Sequence, residues 1–112
     1  MEKKITDFNG IPVLMLGEDI VTENVEEFNA VMLELVNNEN YQFIINLENV
    51  NFMCSSGLGV IVSVFKRVRE NKGDIKLVHM NDRIHRLFEI TRLNKVIDSF
   101  NSIEQAAESF NK

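Results

Sequence analysis

Asn46-Leu47-Glu48-Asn49-Val50-Asn51-Phe52-Met53-Cys54-Ser55-Ser56-Gly57-Leu58-Gly59 leads from the end of an apolar run, through a polar turn, into two serines and two glycines. The run itself, Tyr41-Gln42-Phe43-Ile44-Ile45-Asn46-Leu47, is short and apolar, as suits a strand covered on both faces. Beyond the turn, Gly57 to Asn71 places Leu58, Ile61, Val62, Phe65 and Val68 on one helical face, and Lys72-Gly73-Asp74 reads as the stop. A buried strand feeding an amphipathic helix is the repeating unit of an α/β fold.

Upstream, Ile5-Thr6-Asp7-Phe8 alternates and runs into Asn9-Gly10, a dipeptide suited to the positive φ angles of a two-residue hairpin. Ile11 to Leu16 predicts a second strand ended by Gly17, with Pro12 confined to the strand start or an edge because it cannot donate a ladder bond. Thr22 is the expected N-cap of a first helix, with Glu23, Glu26 and Glu27 in its first turn. Val25, Phe28, Met32, Leu35 and Val36 share its apolar face, and Asn37-Asn38-Glu39-Asn40 ends it.

Downstream, Ile75-Lys76-Leu77-Val78 predicts a strand, and Asp82 is the expected cap of a helix with Ile84, Leu87, Phe88 and Thr91 on one face. Val96-Ile97 predicts a brief strand. Ser102-Ile103-Glu104-Gln105 reads as a capping box opening a last helix, with Ile103, Ala106, Ala107 and Phe110 at helical spacing. The order ββαβαβαβα implies the α/β class, with a mixed, mostly parallel sheet, an antiparallel first hairpin and helices packed on the sheet. No linker interrupts it, so residues 1–112 are expected to form one domain.

Composition bounds the function. The chain is 45% hydrophobic and 26% charged, the balance of a globular domain. A net charge of -5 and a pI near 5.0 argue against a nucleic-acid surface. Lys66, Arg67 and Arg69 cluster where they complement a helix C-terminus. Cys54 is the single cysteine, so no intrachain disulfide can form. Met1 to Asp7 lacks the apolar core of a secretory signal, and the longest apolar run, Ile11 to Leu16, is too short to cross a bilayer. A cytoplasmic protein without membrane contact is expected.

Several chemistries can be tested against the central stretch. Gly57-Leu58-Gly59-Val60-Ile61-Val62 starts like a dinucleotide fingerprint, but Val62 occupies the third glycine's place, and no Gly-Lys-Ser/Thr phosphate loop occurs. Cys54 and Leu58 stand where a nucleophile elbow has glycines. His79 and His85 have no partners at metal-ligand spacing. Cys54 reads either as a thiol activated by a helix N-terminus or as a small filler at a strand end. The two serines read either as helix caps or as an acceptor for phosphate, which would meet free N–H groups there. The two glycines read either as permitting close helix–sheet packing or, since glycine in a helix costs about 1 kcal/mol relative to alanine, as bare backbone kept for an incoming partner. Val60 and Val64 form either an apolar patch for a protein partner or a face covered by a neighbouring helix.

The stretch from Asn46 to Gly59 resembles the signature of the STAS domain, in its bacterial anti-sigma-factor antagonist branch: Asp-Leu-Ser-x-Val-x-Phe-Met-Asp-Ser-Ser-Gly-Leu-Gly. Gly17-Glu18, the run Arg86 to Leu93, and Ser102-Ile103-Glu104-Gln105-Ala106 also look like landmarks of that family. The resemblance implies a non-enzymatic partner switch that needs no cofactor. An unphosphorylated antagonist binds an anti-sigma factor that is also a serine kinase, which releases the sigma factor. The kinase then phosphorylates the second serine of the pair, and a separate phosphatase of the PP2C type restores the antagonist. By position the phosphoacceptor is Ser56. Cys54, Ser55, Ser56, Gly57, Leu58 and Gly59 would form the docking surface, extended by Val60 and Val64.

Two departures from the signature matter, and a third lies outside it. Asn46 and Cys54 replace aspartates, and Arg92 replaces a glycine between Thr91 and Leu93. Asn46 keeps an acceptor for the turn, whereas Cys54 loses both the charge and the strong acceptor. That loss raises a second reading, a STAS module that acts as a scaffold with no phosphate cycle. A hydrolase built on Cys54 or Ser56 lacks a general base at recognisable spacing.

Overall fold

A two-residue turn starts the sheet. Asn9 and Gly10 both take positive φ, 53° and 87°, the geometry that matches the twist of paired strands. The computed structural model describes residues 1–111. In chain order its elements are β1 (Lys3–Phe8), β2 (Ile11–Leu16), α1 (Val25–Asn37), β3 (Gln42–Asn46), α2 (Ser55–Glu70), β4 (Asp74–Val78), α3 (Asp82–Ile90), a 3-10 turn (Leu93–Lys95), β5 (Ser99–Phe100) and α4 (Ile103–Ser109). The strands lie in the order β1-β2-β3-β4-β5. β1 is antiparallel to β2, and the other neighbours are parallel, as the element order predicts. Pro12 lies just ahead of the β2–β3 ladder, which starts at Val13↔Ile44, so its missing N–H costs no bond there.

Strand alternation divides the interior into two cores. Leu14 and Leu16 of β2, Phe43 and Ile45 of β3, and Ile75 and Leu77 of β4 face one way. There they meet Phe28, Met32 and Leu35 of α1 and Ile61, Phe65 and Val68 of α2. Val13, Ile44 and Val78 face the other way and form a smaller cluster with Ala106 and Ala107 of α4, rimmed by the half-buried Phe8, Ile11, Phe100, Ile103 and Phe110. Lys76 lies on that thinner side and is 6% exposed. Its Nζ lies 2.9 Å from Asp74 Oδ2 and 3.0 Å from Asp98 Oδ2, near the rings of Phe100 and Phe110. Burial works against the charge, but the hydrogen bonds and charges of the two aspartates outweigh it and raise Lys76 above its ordinary 10.5.

Three expectations about boundaries are corrected. Thr22 does not cap α1: the helix starts at Val25, behind Asn24, whose side chain is engaged in the preceding loop. Asn81, not Asp82, caps α3, its Oδ1 accepting from the Ile84 amide at 2.9 Å. The last strand is Ser99–Phe100 rather than Val96-Ile97. The 3-10 turn points Ile97 into the main core and leaves Val96 56% exposed, so the strand forms only beyond Asp98. Ser102 behaves as read, its Oγ accepting from the Gln105 amide at 3.1 Å.

Two helix ends show what their residues are for. After α2, Lys72 takes φ 62°, and the Gly73 amide donates to the Val68 carbonyl at 2.7 Å. Gly73 is required by proximity, since a Cβ there would lie 1.8 Å from the Tyr41 carbonyl oxygen. After α3, Arg92 takes φ 64°, a conformation that glycine adopts without steric cost. Arg92→Gly is therefore expected to stabilise the fold by about 0.5–1 kcal/mol in urea unfolding, and Gly73→Ala to destabilise it by about 3 kcal/mol or more. A neutral Gly73→Ala would overturn the close-contact argument.

Candidate functional site

The loop between β3 and α2 is polar, yet its backbone is held from several sides. Asn46, 3% exposed, turns its Oδ1 to accept from the Glu48 amide at 3.0 Å, so it serves as the anchor of the turn. Val50 is buried, and its carbonyl accepts from the Asn81 side chain at 3.2 Å, tying the loop to the start of α3. Asp19 is the main clamp. Its Oδ1 accepts from the amides of Asn51 and Phe52 at 2.7 and 3.2 Å.

The clamp belongs to a segment that sequence reading passed over, the connection from β2 to α1. The Ile20 amide donates to the Phe52 carbonyl, and the Cys54 amide to the Ile20 carbonyl at 2.9 Å, which makes a parallel bridge between Ile20 and Met53. Asn24 stiffens this segment by accepting from the Val21 amide and donating to the Asp19 carbonyl and to Glu18. Its burial at 7% exposure is paid for by those bonds. Only the acceptor-rich composition Glu18-Asp19-Ile20-Val21-Thr22-Glu23-Asn24 could have hinted at this role.

α2 starts at Ser55 rather than at Gly57, with Cys54 in the N-cap position and Ser55, Ser56 and Gly57 as its first residues. The serines therefore do not cap the helix. Both are exposed, and Cys54, half-buried, makes no side-chain cap bond. The first hydrogen bonds of the helix run from Gly57 and Leu58 to the Cys54 carbonyl, so the Ser55 and Ser56 amides find no acceptor among the described residues. No acidic residue lies in this first turn, leaving the positive helix end uncompensated.

The two glycines differ. A Cβ on Gly57 would come within 2.7 Å of Ile20 Cγ2 and 2.9 Å of Met53 Cγ, so Gly57 lets α2 press against the clamp segment. A Cβ on Gly59 would meet nothing within 4 Å. The fold therefore does not require Gly59. It lines a shallow groove between α1 and α2 with Val25, Asn29, Ser56, Val60 and Ser63.

The two valines separate as well. Val60 is half-buried at that groove, whereas Val64 is 1% exposed within the main core. Of the two readings of these valines, the covered face holds for Val64, which α1 packs over, and its placing on the docking surface is corrected. Val62, expected on the core face, is only half-buried. Leu58 is 7% exposed and also belongs to the core. Phe52, which sequence reading did not select, is 47% exposed beside the clamp. His79 and His85 join no cluster of metal ligands among the described residues. No helix among them is long and apolar enough to cross a membrane.

Glu18 supplies a pH signature of the clamp. The Glu2 amide, at 2.6 Å, and then the Asn24 side chain hold its carboxyl below the ordinary 4.5. A carboxyl that is a stronger acid when folded stabilises the fold above its unfolded pKa and loses that contribution as the pH falls through its lowered folded value. Glu18→Gln is expected to flatten the acid limb of stability measured below pH 4.5. An acid limb of unchanged steepness would show that these bonds do not favour the ionised form.

A family model described as the STAS domain matches residues 2–106. The anti-sigma-B factor antagonist of Staphylococcus aureus is 33% identical over 82 residues, which is 73% of this chain and 76% of that protein. A crystal structure of a putative anti-sigma factor antagonist from Thermotoga maritima superposes with a TM-score of 0.92 at 24% identity, covering 98% of this chain and 95% of that one. The phosphorylated form of the Bacillus cell fate determinant SpoIIAA superposes with a TM-score of 0.74 at 18% identity, over 97% and 99% of the two chains.

Proposed function

The chain belongs to the STAS domain family, and from that premise we propose that it is an anti-sigma factor antagonist switched by phosphorylation of Ser56. In its unphosphorylated form it binds an anti-sigma factor that is also a serine kinase, and so frees the sigma factor. It acts as the kinase's substrate, and a phosphatase of the PP2C type returns it to the binding form. The observation that carries this reading is the exposed Ser56 hydroxyl at the second position of α2, on a helix start clamped by Asp19 and Gly57. A nucleophile held in place on a rigid element can be aligned with a γ-phosphate at low entropic cost.

Cys54, Ser55, Ser56, Gly57, Leu58, Gly59 and Val60 supply the docking surface in this proposal, with Gly57 and Leu58 contributing mainly backbone. Phe52 extends it as an exposed aromatic anchor. Gly59 keeps the helix surface bare, so a partner can approach the backbone beside Ser56. Phosphate on Ser56 gains the unpaired Ser55 and Ser56 amides and the positive helix end, and it adds about two negative charges to a desolvated surface. The phosphorylated chain therefore keeps its fold and loses its partner. A second reading, a STAS scaffold without a phosphate cycle, draws on the missing side-chain cap at Cys54.

Incubation with its cognate serine kinase and ATP is expected to add one phosphate, located on Ser56 by mass spectrometry and absent from Ser56→Ala. Ser56→Asp should weaken kinase binding by more than about tenfold, because a like charge buried in an interface costs several kcal/mol. Tight kinase binding without any phosphate would favour the scaffold. The glycines offer a separate check. Gly59→Ala should leave stability equal or raised by up to about 1 kcal/mol yet weaken binding, while Gly57→Ala should lower stability itself by about 1–3 kcal/mol. A Gly59→Ala variant with unchanged affinity would remove Gly59 from the surface.

A further inference from the structure

The open edge of β1 has a pattern that the switch does not use. β1 borders the sheet, and its residues from Lys3 to Asp7 are all exposed. Ile5 is one of the few large apolar side chains turned to solvent, at 45% exposure. Both ends of the β1–β2 ladder show which backbone groups are already used. At one end the Gly17 amide donates to the Glu2 carbonyl at 2.8 Å. At the other, the two-residue turn closes on Phe8↔Ile11 as a hydrogen-bonded pair. Alternation between these ends directs Glu2, Lys4, Thr6 and Phe8 toward β2. The amides and carbonyls of Lys3, Ile5 and Asp7 face outward, unpaired by the sheet.

Such an edge is a template for another strand. If that strand belongs to a second copy, a two-fold axis perpendicular to the sheet relates them, and each side chain keeps its face. A residue must then sit opposite itself, which leaves few registers. Centring on Lys4 sets one ammonium against its own copy. Centring on Thr6 sets Ile5 against the Asp7 carboxylate and runs Lys3 into the turn. Centring on Ile5 brings Lys3 opposite Asp7 on both sides of the axis, Lys4 opposite Thr6, and Ile5 against Ile5. This is also the register in which the outward groups of Lys3, Ile5 and Asp7 pair with one another. Asp7 Oδ2 accepts from the Gly10 amide at 3.0 Å, and Oδ1 remains for the lysine.

We propose that the β1 edge is a self-association surface that binds a second copy of this chain in antiparallel register centred on Ile5. The charge pattern is what commits it to a second copy: Lys3 and Asp7 complement each other only across this axis. The lysines that guard the edge against indiscriminate pairing thereby select one register. The interface is one ladder, two ion pairs and one apolar contact, smaller than that of a permanent dimer, so the association is weak and follows concentration.

Sedimentation equilibrium of the full chain, from about 10 μM to about 1 mM, should show a monomer–dimer equilibrium within that range. Lys3→Glu, which sets like charges opposite one another, should weaken it at least tenfold. Ile5→Pro, which removes an outward N–H, should abolish it while circular dichroism shows a retained fold. Under mild oxidation Ile5→Cys should form a disulfide between the substituted positions, because such a pair places Cα atoms about 5.5 Å apart. Thr6→Cys, displaced from the axis, should not, and the wild-type chain controls for Cys54. A monomeric mass at the highest concentration would overturn the proposal. So would a dimer indifferent to Lys3→Glu and Ile5→Pro, or equal cross-linking at Thr6.

Discussion

The structure depends on the contact between the start of α2 and the segment that follows β2. Gly57 lies against Ile20 and Met53 with no room for a methyl group, and Asp19 holds the two amides just ahead of them. These interactions convert a polar loop into a fixed platform. A strand end and a helix start could otherwise be joined by many loop conformations. Here the Ile20–Met53 bridge and the Asp19 bonds select one, and the serines inherit its position. Removing the clamp would leave the hydroxyls in place chemically and unplaced sterically.

The platform explains why the serines can be exposed without being loose. The buried side of α2 contributes Leu58, Ile61, Val64, Phe65 and Val68 to the main core, which fixes the helix axis. Its first turn then projects past the sheet with free N–H groups and an uncompensated dipole. An Asp at position 54 would accept one of those amides as an N-cap, and Cys54 does not. The helix start of this chain therefore retains more of its appetite for an anion than the family signature would leave it.

What could be read from sequence was local. Asn9-Gly10 carries its turn geometry in its own residue types, Ser102 carries its cap, and the strand-to-helix alternation carries the order of elements. Interactions over distance were not legible. Asp19 meets Asn51 across 32 residues, and nothing in a run of polar side chains says which carboxylate will find an amide. Val64 stayed open between exposure and cover because helical spacing shows only which residues share a face. It does not show which second helix will cover that face. Val96-Ile97 looked like a strand because β-branched residues favour one, whereas the 3-10 turn uses Ile97 to plug the core. Arg92 was legible as an exception, and the structure supplies its consequence in a left-handed backbone.

The two faces of the sheet also imply two different lifetimes. On the α4 side the buried cluster is small, Val13, Ile44, Val78, Ala106 and Ala107 with half-buried aromatic and aliphatic side chains at its rim, whereas the other side buries a far larger set. Less apolar area is lost when α4 lifts away than when α1 or α2 does, and Lys76 would then regain water while keeping both aspartates within reach. Opening of this face is thus a local event rather than a fraction of global unfolding. Amide hydrogens of 103–109 should exchange through that opening well before those of β3, giving the domain a soft back and a hard front. The loop between β3 and α2 is built on the hard one.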